Sequence, residues 1–392
     1  MPARESMVVR HLRRRMSIGY EPGTTWRRPV RYVRADGTVG DTPGADRPEG
    51  PGEAVRIAFV LPTHLGRYSA AEHQSWLSDQ IEQLDDATRA LPGALIMVLV
   101  GMQWMRPEDE PAAIERLRLL AEVTAAPEGV RFLGLSLPGP GKVSTLNAGI
   151  AIADDLGLTA VGWLDDDIRL DPHCLRELVL DFVRHGGRGA VGATKVAHAR
   201  PYATSRLLHR LKALTNTATN YPHGCCLLVE RAVVTGGIPD RYVCDDGFVC
   251  FRLLDPEHPD PLHHLRLVPS ATCHYEVAGP AGQSRRRIRR LLLNHAIYLA
   301  DWSYPVARHY FRHILFSGMW PLTDFDSSGG KRRGAAKSAI KWIYFGWFAR
   351  TAGELYLRGV LRRPLREVHW AEYVAPGSPH PSGHHPLTEA SA

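Results

Sequence analysis

Residues 159–172 read TAVGWLDDDIRLDP. Thr159–Leu164 is a short apolar run with the composition of a buried strand, and it ends directly in Asp165, Asp166 and Asp167. Three consecutive carboxylates repel one another, and a core does not tolerate them unpaired. They need solvent, a basic partner or a cation. On an extended chain alternate residues point the same way, so Asp165 and Asp167 share a face. Two hard oxygen donors suit Mg2+ or Mn2+, ions that also hold the phosphates of a substrate. A surface turn of acidic residues before Pro172 is the plainer alternative.

Upstream, strands and helices alternate. Val55–Leu61 (VRIAFVL) reads as a buried strand ended by Pro62, and Ala70–Leu91 follows with helical spacing. Ala94–Val100 is a second strand, Pro111–Ala125 a helix, Val130–Leu137 a third strand and Val143–Leu156 a third helix. This alternation predicts an α/β fold, a mostly parallel sheet flanked by helices. In such sheets ligands gather beyond the carboxyl ends of the strands. Pro62–His64, Gly101–Gln103, Pro138–Lys142 and Asp165–Asp167 therefore fall along one edge. Downstream, Ala190–Val196, Gly224–Val229 and Leu265–Val268 are strand-like. Helical spacing returns over 285–312 and again, rich in aromatics, over 336–362.

The chain has 392 residues, 44% of them hydrophobic, enough for one large α/β domain with appendages. We divide it into a basic, disordered arm and linker (1–54), a catalytic domain (55–290), a helical C-terminal extension (291–375) and a disordered tail (376–392). None of the six cysteines forms a C-x-x-C pair, which argues against a zinc ribbon and for reduced thiols in the cytoplasm. Neither a signal peptide nor a spanning apolar run is expected. Net charge is +7, and nine arginines against Glu5 and Glu21 place all of it in residues 1–34. No nucleic-acid module accompanies that arm, so no nucleic-acid partner is expected. The arm and the aromatic segment 336–362 suggest peripheral contact with the inner face of a membrane, with packing against the domain as the alternative use of that segment.

The chain resembles the family 2 glycosyltransferases, which have the GT-A fold. The resemblance spans residues 55–290 and rests on four segments. The first strand ends Val60-Leu61-Pro62-Thr63. Gly141-Lys142-Val143-Ser144-Thr145-Leu146-Asn147-Ala148-Gly149 matches G-K-x-x-x-L-N-x-G. Asp165-Asp166-Asp167 matches D-x-D, with Pro172 and Leu175 at the next helix start. Gly236-Gly237 followed by Asp245-Asp246 matches the turn and acidic pair of the acceptor half, with Asp in place of the more frequent Glu at 245.

The resemblance implies inverting transfer of a sugar from a nucleotide-diphosphate donor, a UDP-sugar in particular, to an acceptor it does not identify. It implies donor contacts at Pro62, Thr63, Lys142, Asn147, Asp165 and Asp166. Asp165 and Asp167 would hold Mn2+ or Mg2+, with His274 as a further ligand. Asp246 would be the general base beside Asp245, and paired carboxylates suit that role by pushing one pKa upward. Gln283–Arg290 is similar to the family's Q-x-x-R-W segment, but Arg287 stands in place of the Trp, which disfavours a processive polymerase. Arg286 and Arg287 would clamp the diphosphate. Two other readings compete: a nucleotidyltransferase making an activated sugar, and a non-catalytic sugar-nucleotide binder or membrane scaffold.

Overall fold

The computed structural model describes residues 30–43, 55–123, 127–139, 141–198, 221–239, 242, 244–276 and 302–310, with isolated positions from 346 to 361. A hairpin of β1 (Arg31–Arg34) and β2 (Val39–Gly40) comes first. Strands and helices then alternate: β3 (Arg56–His64), α1 (Ala70–Ala90), β4 (Leu95–Trp104), α2 (Glu110–Val123), β5 (Val130–Pro138), α3 (Lys142–Asp155) and β6 (Ala160–Leu164). The remaining elements are β7 (Ile168–Leu170), α4 (Cys174–Arg184), β8 (Ala190–His198), β9 (Cys226–Glu230), α5 (Arg231–Val234), α6 (Asp245–Leu253), β10 (Leu265–Glu276) and α7 (Tyr304–His309).

All ten strands join one sheet in the order β2-β1-β5-β4-β3-β6-β9-β8-β10-β7. The centre, β5-β4-β3-β6, is parallel, as is the β8–β10 pair, while β9 and the edge strands run antiparallel. Period-two alternation divides the core between the faces. Ile57, Phe59 and Leu61 of β3 pack with Leu77 and Leu84 of α1 and Leu117 of α2. Ala58 and Val60 pack on the other face with Leu146 and Ile150 of α3 and Phe251 of α6.

The chain steps outward from β3 to β4 and β5, then returns past β3 to lay down β6. Strand order thus reverses between β3 and β6, and a crevice opens at such a reversal beyond the carboxyl ends. Thr63 and the three aspartates lie at those two ends.

Several expectations need correction. The folded body begins before Val55: Tyr32 and Val33 lie within the stretch expected to be an unstructured arm, yet β1 pairs with β5 and Val33 is fully buried. An unpaired β5 would be an exposed edge, and the hairpin covers it. Pro62 does not end its strand, which runs on to His64. Pairing of β3 with β6 stops at Val60, so one side of the strand is open there and tolerates proline's missing N–H. The short strand at Leu265 extends to Glu276, passing Pro269 through a register shift between Val268 and Thr272.

None of the six cysteines is in a disulfide. No described helix is long and apolar enough to cross a membrane. Residues 1–29, Arg286, Arg287, the tail and most of 336–362 lie outside the described residues.

Candidate active site

The acidic tip is split by its own alternation. Asp165 and Asp167 turn outward, with side chains 25% and 52% exposed, while Asp166 turns in and keeps 3%. Thr63 Oγ1 donates to Asp166 Oδ2 at 2.8 Å, and the Tyr68 hydroxyl donates to the Asp166 carbonyl at 2.5 Å. Arg67 lies 3.7 Å from Asp166 and 3.9 Å from Asp167. Burial pushes the Asp166 carboxyl up to about 7, against the pull of Arg67 and the Thr63 hydrogen bond. Asp166 and Thr63, both expected as donor contacts, are buried and bonded to each other behind Asp165 and Asp167.

Lys142 opens α3 after Gly141, and its ammonium ties the two acidic clusters together. Nζ lies 2.6 Å from Asp165 Oδ1 and 3.0 Å from Asp245 Oδ2, and it donates to the Gly224 carbonyl. Burial opposes its charge, but Asp165 and Asp245 outweigh that and hold its pKa above the ordinary value. Asp245 and Asp246 form the first turn of α6, where the helix N-terminus favours negative charge. Gly224 presses against them: a Cβ there would fall 2.3 Å from Asp245 Oδ2.

The pair is polarised in the sense opposite to the expected one. Burial pushes Asp245 up to about 6 despite Lys142, with Asp246 and Asp165 adding to the rise. At Asp246 burial acts the same way, but His223 overcomes it. That imidazole lies 3.5 Å from Oδ2, with the Gly224 N–H at 3.3 Å, and together they hold the carboxyl well below the carboxylate range. Asp246 is therefore ionised at any working pH, and it is the more exposed of the two, 21% against 8%.

Asn147 was expected beside the donor, but its amide is committed to the backbone. It donates to the Ile238 carbonyl at 2.8 Å and accepts from the Ile238 N–H at 2.7 Å. This clamps the Gly236-Gly237 turn to α3. Gly237 has φ +89, and an added Cβ would meet Asn147 Oδ1 at 3.0 Å. Gly237→Ala is expected to cost about 1–3 kcal/mol of stability, read as a lower urea midpoint. An unchanged midpoint would show that the turn relaxes freely.

His274 sits on β10 with Nε2 2.7 Å from Asp171 Oδ1. Among the described residues no group of three His, Cys, Asp or Glu side chains is arranged to hold a metal ion, so His274 is not gathered with Asp165 and Asp167 into such a group. Arg67, Tyr68 and His223 also contact these acidic residues, and sequence reasoning did not single them out as site residues. Arg67 lies three residues past the strand-end segment Pro62–His64, and His223 adjoins Gly224; these positions were the available signals.

The donor set nevertheless suits a hard divalent cation. Among the described residues, the five aspartates 165 to 167, 245 and 246 have two basic side chains in ion-pair contact, Lys142 and Arg67, with His223 beside Asp246. Carboxylates outnumber these basic partners. Asp167 is accessible, and Asp165 shares one oxygen with Lys142. An ion held by one or two carboxylates and completed by substrate phosphates is the usual arrangement for Mg2+, with Mn2+ accepting similar donors.

No protein-family model matches this chain, and no curated protein does. Solved structures are similar, and two of them are glycosyl-transferring enzymes. One is the mannosyltransferase PcManGT from Pyrobaculum calidifontis in complex with GDP-Man and Mn2+, at 17% identity over 79% of this chain and 81% of that one, TM-score 0.43. The other is glucosyl-3-phosphoglycerate synthase from Mycobacterium tuberculosis in complex with Mn2+, UDP and phosphoglyceric acid. It is 16% identical over 61% of this chain and 78% of that one, TM-score 0.35. The likeness is one of fold alone.

Proposed function

We propose that this chain is a divalent-metal-dependent glycosyltransferase that moves a sugar, with inversion, from a nucleotide-diphosphate donor to an acceptor hydroxyl. The observation that carries the reading is the junction of two acidic clusters at one topological reversal, Asp165–Asp167 directly after β6 and Asp245-Asp246 at the start of α6, bridged by Lys142. One cluster suits the leaving diphosphate and the other an attacking hydroxyl.

In this reading Asp165 and Asp167 would hold Mn2+ or Mg2+, which would neutralise charge developing on the departing nucleotide diphosphate. Lys142 keeps the donor side and the acceptor side at a set separation. Asp246 accepts the proton of the acceptor hydroxyl. Its strong ionisation makes it available at every working pH, though it is a weaker base than a carboxylate of raised pKa. A UDP-sugar is the donor to try first. Arg286 and Arg287 would clamp the diphosphate.

The test is a panel of UDP- and GDP-sugars incubated with Mn2+ or Mg2+, with and without chelator. Release of nucleoside diphosphate that stops on chelation is expected. Pyrophosphate as the product would sink the reading in favour of nucleotidyl transfer, and metal-independent release would remove the ion from it.

A further inference from the structure

Behind the acidic tip lies a chain of buried polar groups whose direction can be assigned. Arg116 of α2 places Nη1 2.8 Å from His73 Nδ1 and donates also to the Tyr68 carbonyl at 3.1 Å. A guanidinium has no acceptor, so His73 Nδ1 must be the unprotonated nitrogen. Burial, then the charge of Arg116, lowers the His73 pKa to about 3, so the ring is neutral and its proton is on Nε2. Nε2 lies 3.1 Å from Thr63 Oγ1 and donates to it. The hydroxyl in turn gives its hydrogen to Asp166 Oδ2 at 2.8 Å. Every donor has an acceptor, and the sequence Arg116 → His73 → Thr63 → Asp166 runs one way. His73 is fully buried, and Thr63 and Asp166 are 5% exposed.

We propose that Arg116, His73 and Thr63 are positioning residues: by fixing Asp166 they aim its neighbours Asp165 and Asp167 at the metal–diphosphate of the donor. This deepens the function proposed above and rests on it. Asp166 is too enclosed to meet a ligand, yet its main chain sets both outward carboxylates. Its carboxylate is held by Thr63, its carbonyl by Tyr68, and Arg67 spans Asp166 and Asp167. The tip is therefore braced through the β3–α1 connection, and Arg116 secures the far end of that brace. Groups that orient carboxylate ligands in this way commonly govern ion affinity about 10–100-fold.

The experiment compares Thr63→Val, which keeps shape and removes the hydroxyl, with Thr63→Ser, which restores it. Thr88→Val is the control: Thr88 is a buried threonine of α1 whose hydroxyl donates to the local Asp85 carbonyl. Affinity for Mn2+ with UDP and with GDP is measured by calorimetry beside the thermal midpoint of the unliganded protein. Thr63→Val is expected to weaken Mn2+–nucleotide binding about tenfold or more, and Thr63→Ser to recover most of it. Thr88→Val should lower the midpoint alone.

Arg116→Met, at a partly exposed position, should weaken binding in the same sense, and Arg116→Lys less. This pair decides if Thr63→Val does not fold. Wild-type affinity in both Thr63→Val and Arg116→Met would overturn the positioning role alone. A wild-type protein that binds neither nucleotide with Mn2+ would overturn the proposed function along with it.

Discussion

Asp246→Asn is expected to lower the transfer rate by about a hundred- to ten-thousand-fold while leaving Mn2+–nucleotide affinity unchanged. The substitution is nearly isosteric: the single amide oxygen can keep the Gly247 N–H, which donates to Oδ1 at 2.8 Å, while the amide NH2 takes the place of the oxygen that accepts from the Gly224 N–H at 3.3 Å. What disappears is the charge that takes the acceptor proton. Since Asp246 is held ionised well below the ordinary carboxylate range, the wild-type rate should stay flat as pH falls toward 5, with any acid limb arising elsewhere. Steady-state rates across pH with the donor that proves active, beside calorimetry on the same preparations, check both parts. A variant retaining the wild-type rate would remove Asp246 from the chemistry and leave its hydrogen bonds as a helix-start device.

Lys142→Met should be the most damaging single change to the fold of the site. It strips the shared cation from Asp165 and from Asp245, whose side chains are 25% and 8% exposed. Breaking a buried ion pair from one side typically costs about 3–5 kcal/mol, because the remaining charge is left without a partner. The pH dependence follows from Asp245. Its folded pKa is already raised to about 6, and loss of Lys142, which pulls it down, raises it further. An acid whose folded pKa exceeds its unfolded one loses stability as pH rises between the two values and recovers it as pH falls. The deficit of the variant should therefore be largest near pH 8 and shrink toward pH 5. Urea unfolding at both pH values measures it; a deficit independent of pH would mean that Asp245 ionises freely without Lys142.

The sheet's central elements were legible because their signals are local. β3, β4, β5 and β6 are apolar runs bounded by turn residues, and their predicted limits differ from the observed ones by a few residues. The hairpin at Arg31–Gly40 was not legible. A four-residue strand with arginine at both ends has no hydrophobic signature, and it forms because β5 offers it an unpaired edge. The two acidic clusters were found because carboxylates in series are conspicuous. The distinction among their members was not: nothing in Asp-Asp-Asp says that the middle one points inward to Thr63, or that His223 rather than a neighbouring acid governs Asp246. Nor was the partner of Asn147 legible, since a motif position does not reveal that its amide bonds the Ile238 backbone.

By itself, the amino-acid order determined the alternating strands and helices, the edge at which they end, and the presence there of more carboxylates than a core can hold. Tertiary structure alone decided their partners: Lys142 between Asp165 and Asp245, and Arg116 linked through His73 and Thr63 to Asp166. The physical reason is range. Hydrophobic periodicity is written over a handful of neighbouring residues, whereas the contacts that set charge and direction in this site join groups as much as 103 positions apart.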